Sequence, residues 1–225
     1  MINTWEILKY GERLISSMEN PPSANDVAYN SRVTPSFDML FVQNSSGNYV
    51  LIIYMRIRII YSDSAEPWKF IDKDLFEKDF KEKINRKWGL YGNETLYRLN
   101  SKKIISLDFR FSFSRQESYF QNNHWTLSVK KFNKGIWNQS SITSSLRTGK
   151  LDSNDFDFVK KKKNKQQRGA VHEFGHMLGL DDEYKPGAFV NDFDSIMNVG
   201  EVVRLRHRSV FIQWMQKVLR EKKIN

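Results

Sequence analysis

The chain of 225 residues contains no cysteine. Disulfides are therefore excluded, and so is a zinc site built from thiolates. The redox compartment stays open, because a chain without thiols suits either. Long apolar runs are missing as well: none reaches the roughly 18 residues that a membrane-spanning helix needs. The N-terminal stretch carries Glu6, Glu12 and Glu19 in place of a basic end followed by an apolar segment, so no secretory signal is visible and localisation is unknown. No internal repeat and no glycine-rich phosphate loop occurs. Negative charge is the scarcer sign, since 26 Asp and Glu face 36 Lys and Arg and leave a formal net charge of +10. Such an excess favours an acidic partner: nucleic acid, a membrane surface or an acidic protein.

Apolar material is ample, with 16 Phe, 9 Tyr and 6 Trp. The length suits one domain with an N-terminal extension, which places residues 1–36 outside a body spanning 37–225. In the extension Trp5, Leu8 and Ile15 stripe a short helix that Gly11 interrupts and Pro21-Pro22 end. The body starts more clearly. Tyr49 to Tyr61 is rich in β-branched and aromatic residues, follows a Ser46-Gly47-Asn48 turn and predicts a long strand. After Pro67, Phe76, Phe80, Ile84 and Trp88 recur every four residues among charged ones, which predicts an amphipathic helix ended by Gly89 or Gly92. Alternation predicts strands at Ile105 to Phe113 and Trp125 to Val129, with His124 on a polar face. The Ser- and Asn-rich stretch from Phe132 to Asp157 reads as a surface loop with an edge strand at Gly135 to Trp137. A lysine run, Lys160 to Lys163 with Lys165 and Arg168, precedes a helix predicted over about 166–178. Such runs are usually solvated, and the alternative is a patch that steers substrate. Val210, Phe211, Trp214, Met215, Val218 and Leu219 stripe a final helix.

The chemistry concentrates at His172-Glu173-Phe174-Gly175-His176-Met177-Leu178-Gly179-Leu180-Asp181-Asp182. Residues four apart on a helix share a face, so His172 and His176 present two imidazoles to one point. Gly179 can leave the helix through a left-handed conformation, and a turn there brings Asp182 back beneath the imidazoles as a third ligand. Catalytic zinc usually has three protein ligands and one position for water, whose pKa falls to roughly 7. Of the 4 histidines in the chain, only His207 lies downstream, so the third ligand is Asp182 first, with His207 and Glu183 as alternatives. Glu173 is placed to serve as general base toward the metal-activated water. Gly175 allows close packing under the metal helix.

This run resembles the zincin metallopeptidases, and among them the metzincins, whose pattern H-E-x-x-H-x-x-G-x-x-H has a smaller group ending in Asp. Positions 172 to 182 match the Asp form, and Asp194-Ser195-Ile196-Met197-Asn198 is similar to the methionine turn that passes beneath the metal in that family. Many members carry a Tyr two residues after that Met, where this chain has Val199, which makes Tyr184 the best substitute as a transition-state donor. Asp182-Glu183-Tyr184 and Arg206-His207 look more like the metallopeptidase domains of bacterial polymorphic toxins and secreted effectors. The resemblance implies an α+β, metzincin-like domain: a twisted, mostly parallel sheet, a covering helix, an active-site helix and a C-terminal helix. It implies a zinc-dependent endopeptidase (Zn2+ as cofactor) acting on a protein or peptide. It also brings in delivery by a specialised secretion system and a cognate immunity protein or inhibitor. His207 then reads either as the start of a basic surface helix or as a substrate contact. Two alternatives belong to other classes. One is a basic nucleic-acid- or membrane-binding module with a structural metal, which the lack of cysteine disfavours. The other is an inactive relative that binds peptides, which the intact Glu173 disfavours.

Overall fold

The computed structural model describes residues 4–19, 36–62, 66–91, 94–100, 103–115 and 123–224. One sheet contains β1 (Arg13–Met18), β2 (Asp38–Gln43), β3 (Tyr49–Ser62), β4 (Tyr97–Arg98), β5 (Ile104–Ser114), β6 (Trp125–Lys130), β7 (Ser141–Thr143) and β8 (Thr148–Asp152). A separate hairpin pairs β9 (Phe158–Lys160) with β10 (Gln166–Arg168). Three α-helices complete an α+β arrangement: α1 (Phe70–Trp88), α2 (Gly169–Met177) and α3 (Ser209–Glu221). Among the described residues no helix is long and apolar enough to cross a membrane.

β3 is the strand on which the sheet is built. Its residues from Tyr49 to Met55 are buried without interruption, the pattern of a strand covered on both faces. One edge runs parallel to β5 from Tyr49 to Arg58. The other edge is shared, with antiparallel β2 against Tyr49 to Tyr54 and parallel β6 against Ile57 to Ser62. The expected mostly parallel sheet is thus mixed. Parallel ladders hold its centre, and antiparallel ones occupy β1–β2–β3, β4–β5 and β7–β8. Short turns join β2 to β3, β4 to β5 and β7 to β8, whereas the parallel step from β3 to β5 needs a crossover, which α1 supplies.

Where β3 changes partner, His124 fills the fork. Its Nδ1 accepts the Arg56 amide at 2.9 Å, and its own amide donates to the Arg56 carbonyl at 2.8 Å. Asp38 stands beside it, 2.8 Å from Arg56 Nη1. His124 is therefore buried and not on a polar strand face, and burial lowers its pKa against the pull of Asp38. Alternation along β6 does not reveal this, because the residue precedes the strand and answers to β3.

The face of α1 carrying Phe76, Phe80, Ile84 and Trp88 is buried, as the four-residue spacing predicts, and Gly89 caps the helix; Gly92 lies outside the described residues. Phe80 meets Phe111 of β5 and Phe174 of α2 edge-on, at 5.3 and 6.2 Å between ring centres. Trp88 donates its indole N–H to the Val171 carbonyl at 3.0 Å. The covering helix thus carries α2 as well as shielding the sheet, and Phe80→Ala should cost roughly 3–5 kcal/mol.

Three local expectations change. The N-terminal helix does not form: Thr4–Glu6 is a single 3-10 turn with Trp5 exposed, and Arg13–Met18 completes the open edge of β2. Glu12 ties this segment down through a two-pronged contact with Arg110, both distances 2.7 Å. Pro21-Pro22 and the rest of 20–35 lie outside the described residues. No strand forms at Gly135 to Trp137, where the Ile136 amide closes a turn onto Asn133; the edge strand is β7, held by β8. Helix α2 starts at Gly169 instead of Gln166, because Gln166 to Arg168 pair with β9 and Glu201 Oε1 takes the Arg168 amide at 2.8 Å.

Candidate metal centre

α2 is buried on nearly every side, from Ala170 through Gly175 and again at Met177. A helix this apolar must be held by packing all round, which fixes the direction of the few polar side chains it carries. His172 Nδ1 lies 2.7 Å from the Ile196 carbonyl, and His176 Nδ1 lies 2.7 Å from the Leu180 carbonyl. A carbonyl only accepts, so each Nδ1 carries a hydrogen, and in its neutral form each ring turns a bare Nε2 lone pair inward.

Both lone pairs meet Asp182. Its Oδ1 is 3.4 Å from His172 Nε2 and 3.1 Å from His176 Nε2. Gly179 provides the turn that returns the chain, with φ of +86°. Three acceptor atoms therefore converge, and Asp182 Oδ1 is buried with no hydrogen-bond donor. Such a gap is stable only with protons or a cation in it. His172, Glu173 and His176 also place one ligand atom each within 4.8 Å of one another, a group that could hold a metal ion. Two imidazoles and a carboxylate match the donor set of a three-ligand zinc site. Of the carboxylates on offer, Asp182 is favoured by its orphaned oxygen. Glu173 is nearer the imidazoles than a residue wholly aside from the coordination face would be.

Charge follows the same geometry. Burial works against the Asp182 carboxylate, yet the flanking His172 and His176 rings and the Tyr184 hydroxyl hold it far below the usual carboxylate range. Burial likewise opposes a charged His176, and Asp182 and the Leu180 carbonyl outweigh it and raise the ring's pKa. Glu173 is pushed up, by burial first, with the two histidines pulling the other way. That direction suits a group that must both take and return a proton.

Met197 packs its sulfur directly on the Cα of Gly175, in the space a Cβ would need. The segment carrying Met197 thus lies beneath α2. Two contacts that the sequence does not announce hold it there. The buried Gln167 side-chain nitrogen sits 2.9 Å from the Ile196 carbonyl, 3.2 Å from Asn198 and 3.0 Å from Gly200. Arg206 grips Glu183 with two hydrogen bonds of 2.7 and 2.8 Å and reaches Asp192 at 2.6 Å. Glu183 is therefore committed to Arg206 and not to His172 or His176.

His207 is not a surface residue. It is buried, with Nε2 3.1 Å from Glu183 Oε1 and Nδ1 accepting the Arg204 amide at 3.1 Å. One ring nitrogen thus caps its own turn at Arg204, and the other meets Glu183 just after Asp182. Tyr184 is half exposed and bonds toward Asp182; burial and that carboxylate push its hydroxyl up to about 12.

A cavity of about 420 Å³ opens on His172 and Glu173, with Tyr184 and Val199 among its walls. Trp137, Val159, Lys161 and Lys162 line it as well. Asp155 reaches it from the floor, 4% exposed and bonded to Ser140 Oγ at 2.6 Å. Burial and the neighbouring charge of Asp152 push Asp155 up to about 7. Neither Gln167 nor Asp155 stands in a recognisable motif: the carbonyls that Gln167 reaches lie about thirty residues on, and Asp155 meets Ser140 across a loop. Comparison with protein-family models and with curated proteins finds no match to this chain.

Proposed function

We propose that the chain is a zinc-dependent endopeptidase. The observation that carries this reading is the convergence of two bare imidazole nitrogens and an orphaned carboxylate oxygen beside a cavity that Glu173 lines. Bound by His172, His176 and Asp182, Zn2+ would supply a Lewis acid that polarises a peptide carbonyl and makes a water more acidic. Every other task falls to the chain. The Ile196 and Leu180 carbonyls fix the imidazole orientation. Glu173 takes the proton from the attacking water and hands it to the departing amine, so no covalent enzyme intermediate forms. Tyr184, at the cavity wall, can donate its hydroxyl to a developing oxyanion, and its raised pKa keeps that proton in place. The likeness of Asp182-Glu183-Tyr184 and Arg206-His207 to toxin and effector domains supports placing the activity in a delivered bacterial protein.

Glu173→Gln separates binding from chemistry. The variant should keep bound zinc, measured by metal analysis, and lose peptide cleavage by roughly 100-fold or more. Turnover equal to that of the unaltered chain would refute the assignment.

A further inference from the structure

The lysine run before α2 divides in two. Lys165 pairs with Asp194 at 2.5 Å, and Lys163 sits over the Phe193 ring at 5.4 Å, so these two hold the tip of the β9–β10 hairpin against the segment preceding the methionine turn. The tip itself is tight: Lys163 and Asn164 are both left-handed, at φ 58° and 57°, and the Lys161 amide closes onto the Lys165 carbonyl at 2.9 Å. Lys161 and Lys162 are left on the wall of the cavity that opens on His172 and Glu173. Among the described residues neither of them pairs with a carboxylate. The acids of the same cavity lie deeper. Asp155 and Glu173 are buried, whereas both lysines are exposed to solvent. An entering group therefore meets the two ammonium ions first, in a partly walled space where charge is less screened than on open surface.

We infer that this cavity takes an acidic side chain, Asp or Glu, of a peptide lying across His172 and Glu173, with Lys161 and Lys162 supplying the opposite charge. The inference rests on the peptidase reading for the word substrate, but the charge selection itself is a property of binding. Lys161 and Lys162 are specificity determinants here and take no part in bond breaking. Their opposite-charge contacts should favour acidic over basic peptides by roughly fivefold, the scale expected of partly exposed ion pairs.

Two measurements test it on the full zinc-loaded chain. In the first, a mixed peptide library is digested and the cut sites are mapped by mass spectrometry, for the unaltered chain, Lys161→Ala/Lys162→Ala and Lys161→Glu/Lys162→Glu. Asp and Glu should be enriched near the cut, the enrichment should vanish in the alanine pair, and Lys and Arg should replace them in the glutamate pair. In the second, fluorescence anisotropy follows labelled glutamate-rich and lysine-rich peptides of equal length binding to Glu173→Gln, alone and with each lysine pair. If nothing is cleaved but Glu173→Gln binds the acidic peptide more tightly and the glutamate pair reverses the order, the peptidase reading fails and the inference stands. Cleavage without acidic enrichment, or enrichment that both lysine pairs leave intact, overturns the inference and spares the reading. Equal binding of the two peptides overturns it too, as does a lysine-dependent affinity seen for a DNA oligonucleotide and for neither peptide.

Discussion

Asp182 Oδ1 lies 3.1 Å from His176 Nε2, and the ring's only hydrogen is already given to the Leu180 carbonyl on the opposite side. A neutral ring and a carboxylate cannot share that gap without a proton or a cation. Either a second proton on His176, which Asp182 favours, or a bound cation closes it.

Zinc should therefore stabilise the fold by linkage. At a free concentration 100 times its dissociation constant, a ligand bound only by the native state adds about 2.7 kcal/mol. A thermal melt should show a rise in Tm with zinc and its reversal by chelator in the unaltered chain, and little change in Asp182→Asn or His172→Ala. A Tm of the unaltered chain that zinc leaves unchanged would sink the three-donor assignment.

Gly175→Ala should be poorly tolerated, because the added methyl group enters the space of the Met197 sulfur. Overpacking of this kind costs roughly 1–3 kcal/mol. Met197→Ala alone also destabilises by leaving a cavity, but combined with Gly175→Ala the losses should fall short of their sum. Urea unfolding of the two single variants and the double variant measures the coupling. Strict additivity would mean that the two residues do not press on each other.

Gln167→Ala leaves the carbonyls of Ile196, Asn198 and Gly200 without their buried donor, at a cost of roughly 1–3 kcal/mol. The Ile196 carbonyl also receives the His172 hydrogen, so metal affinity should drop by roughly tenfold, at the low end of what outer-shell changes cause. Competition with a chromophoric chelator reads the affinity directly. Unchanged zinc binding would confine Gln167 to a packing role.

The acid limb of stability should depend on Arg206. Burial alone would raise the Glu183 pKa, but Arg206, Ser195 and His207 bring it down to about 2 from an ordinary 4.5. The unfolded chain then binds more protons than the native one across that interval, so this share of stability is complete above about 4.5 and drains away as pH falls through about 2. Arg206→Gln should lower stability at neutral pH and flatten the fall between those values. Parallel curves from thermal melts at several pH values would contradict it.

Strand β3, helix α1, strands β5 and β6 and helix α3 are legible in the sequence because each repeats its own apolar period in one unbroken stretch. The pairing of His172 with His176 is legible for the same reason, and Gly179 marks the turn that returns Asp182. What stays hidden depends on distant partners. β8 is Thr-Gly-Lys-Leu-Asp, too polar to announce a strand, and it exists because β6 offers it an edge. His124 reads as a solvent-facing residue until β3 is seen to change partners at Arg56. Gln167 and Arg206 sit in basic, irregular stretches, and only the folded chain brings them to the carbonyls and the carboxylate they hold.

Trp88 joins the last residue of α1 to Val171, one position before the first imidazole. The depth at which α2 lies is thereby tied to how the interior fills beneath the covering helix. A lineage that altered the volume under Trp88 would displace His172 with it, so interior and chemistry would have to drift in step.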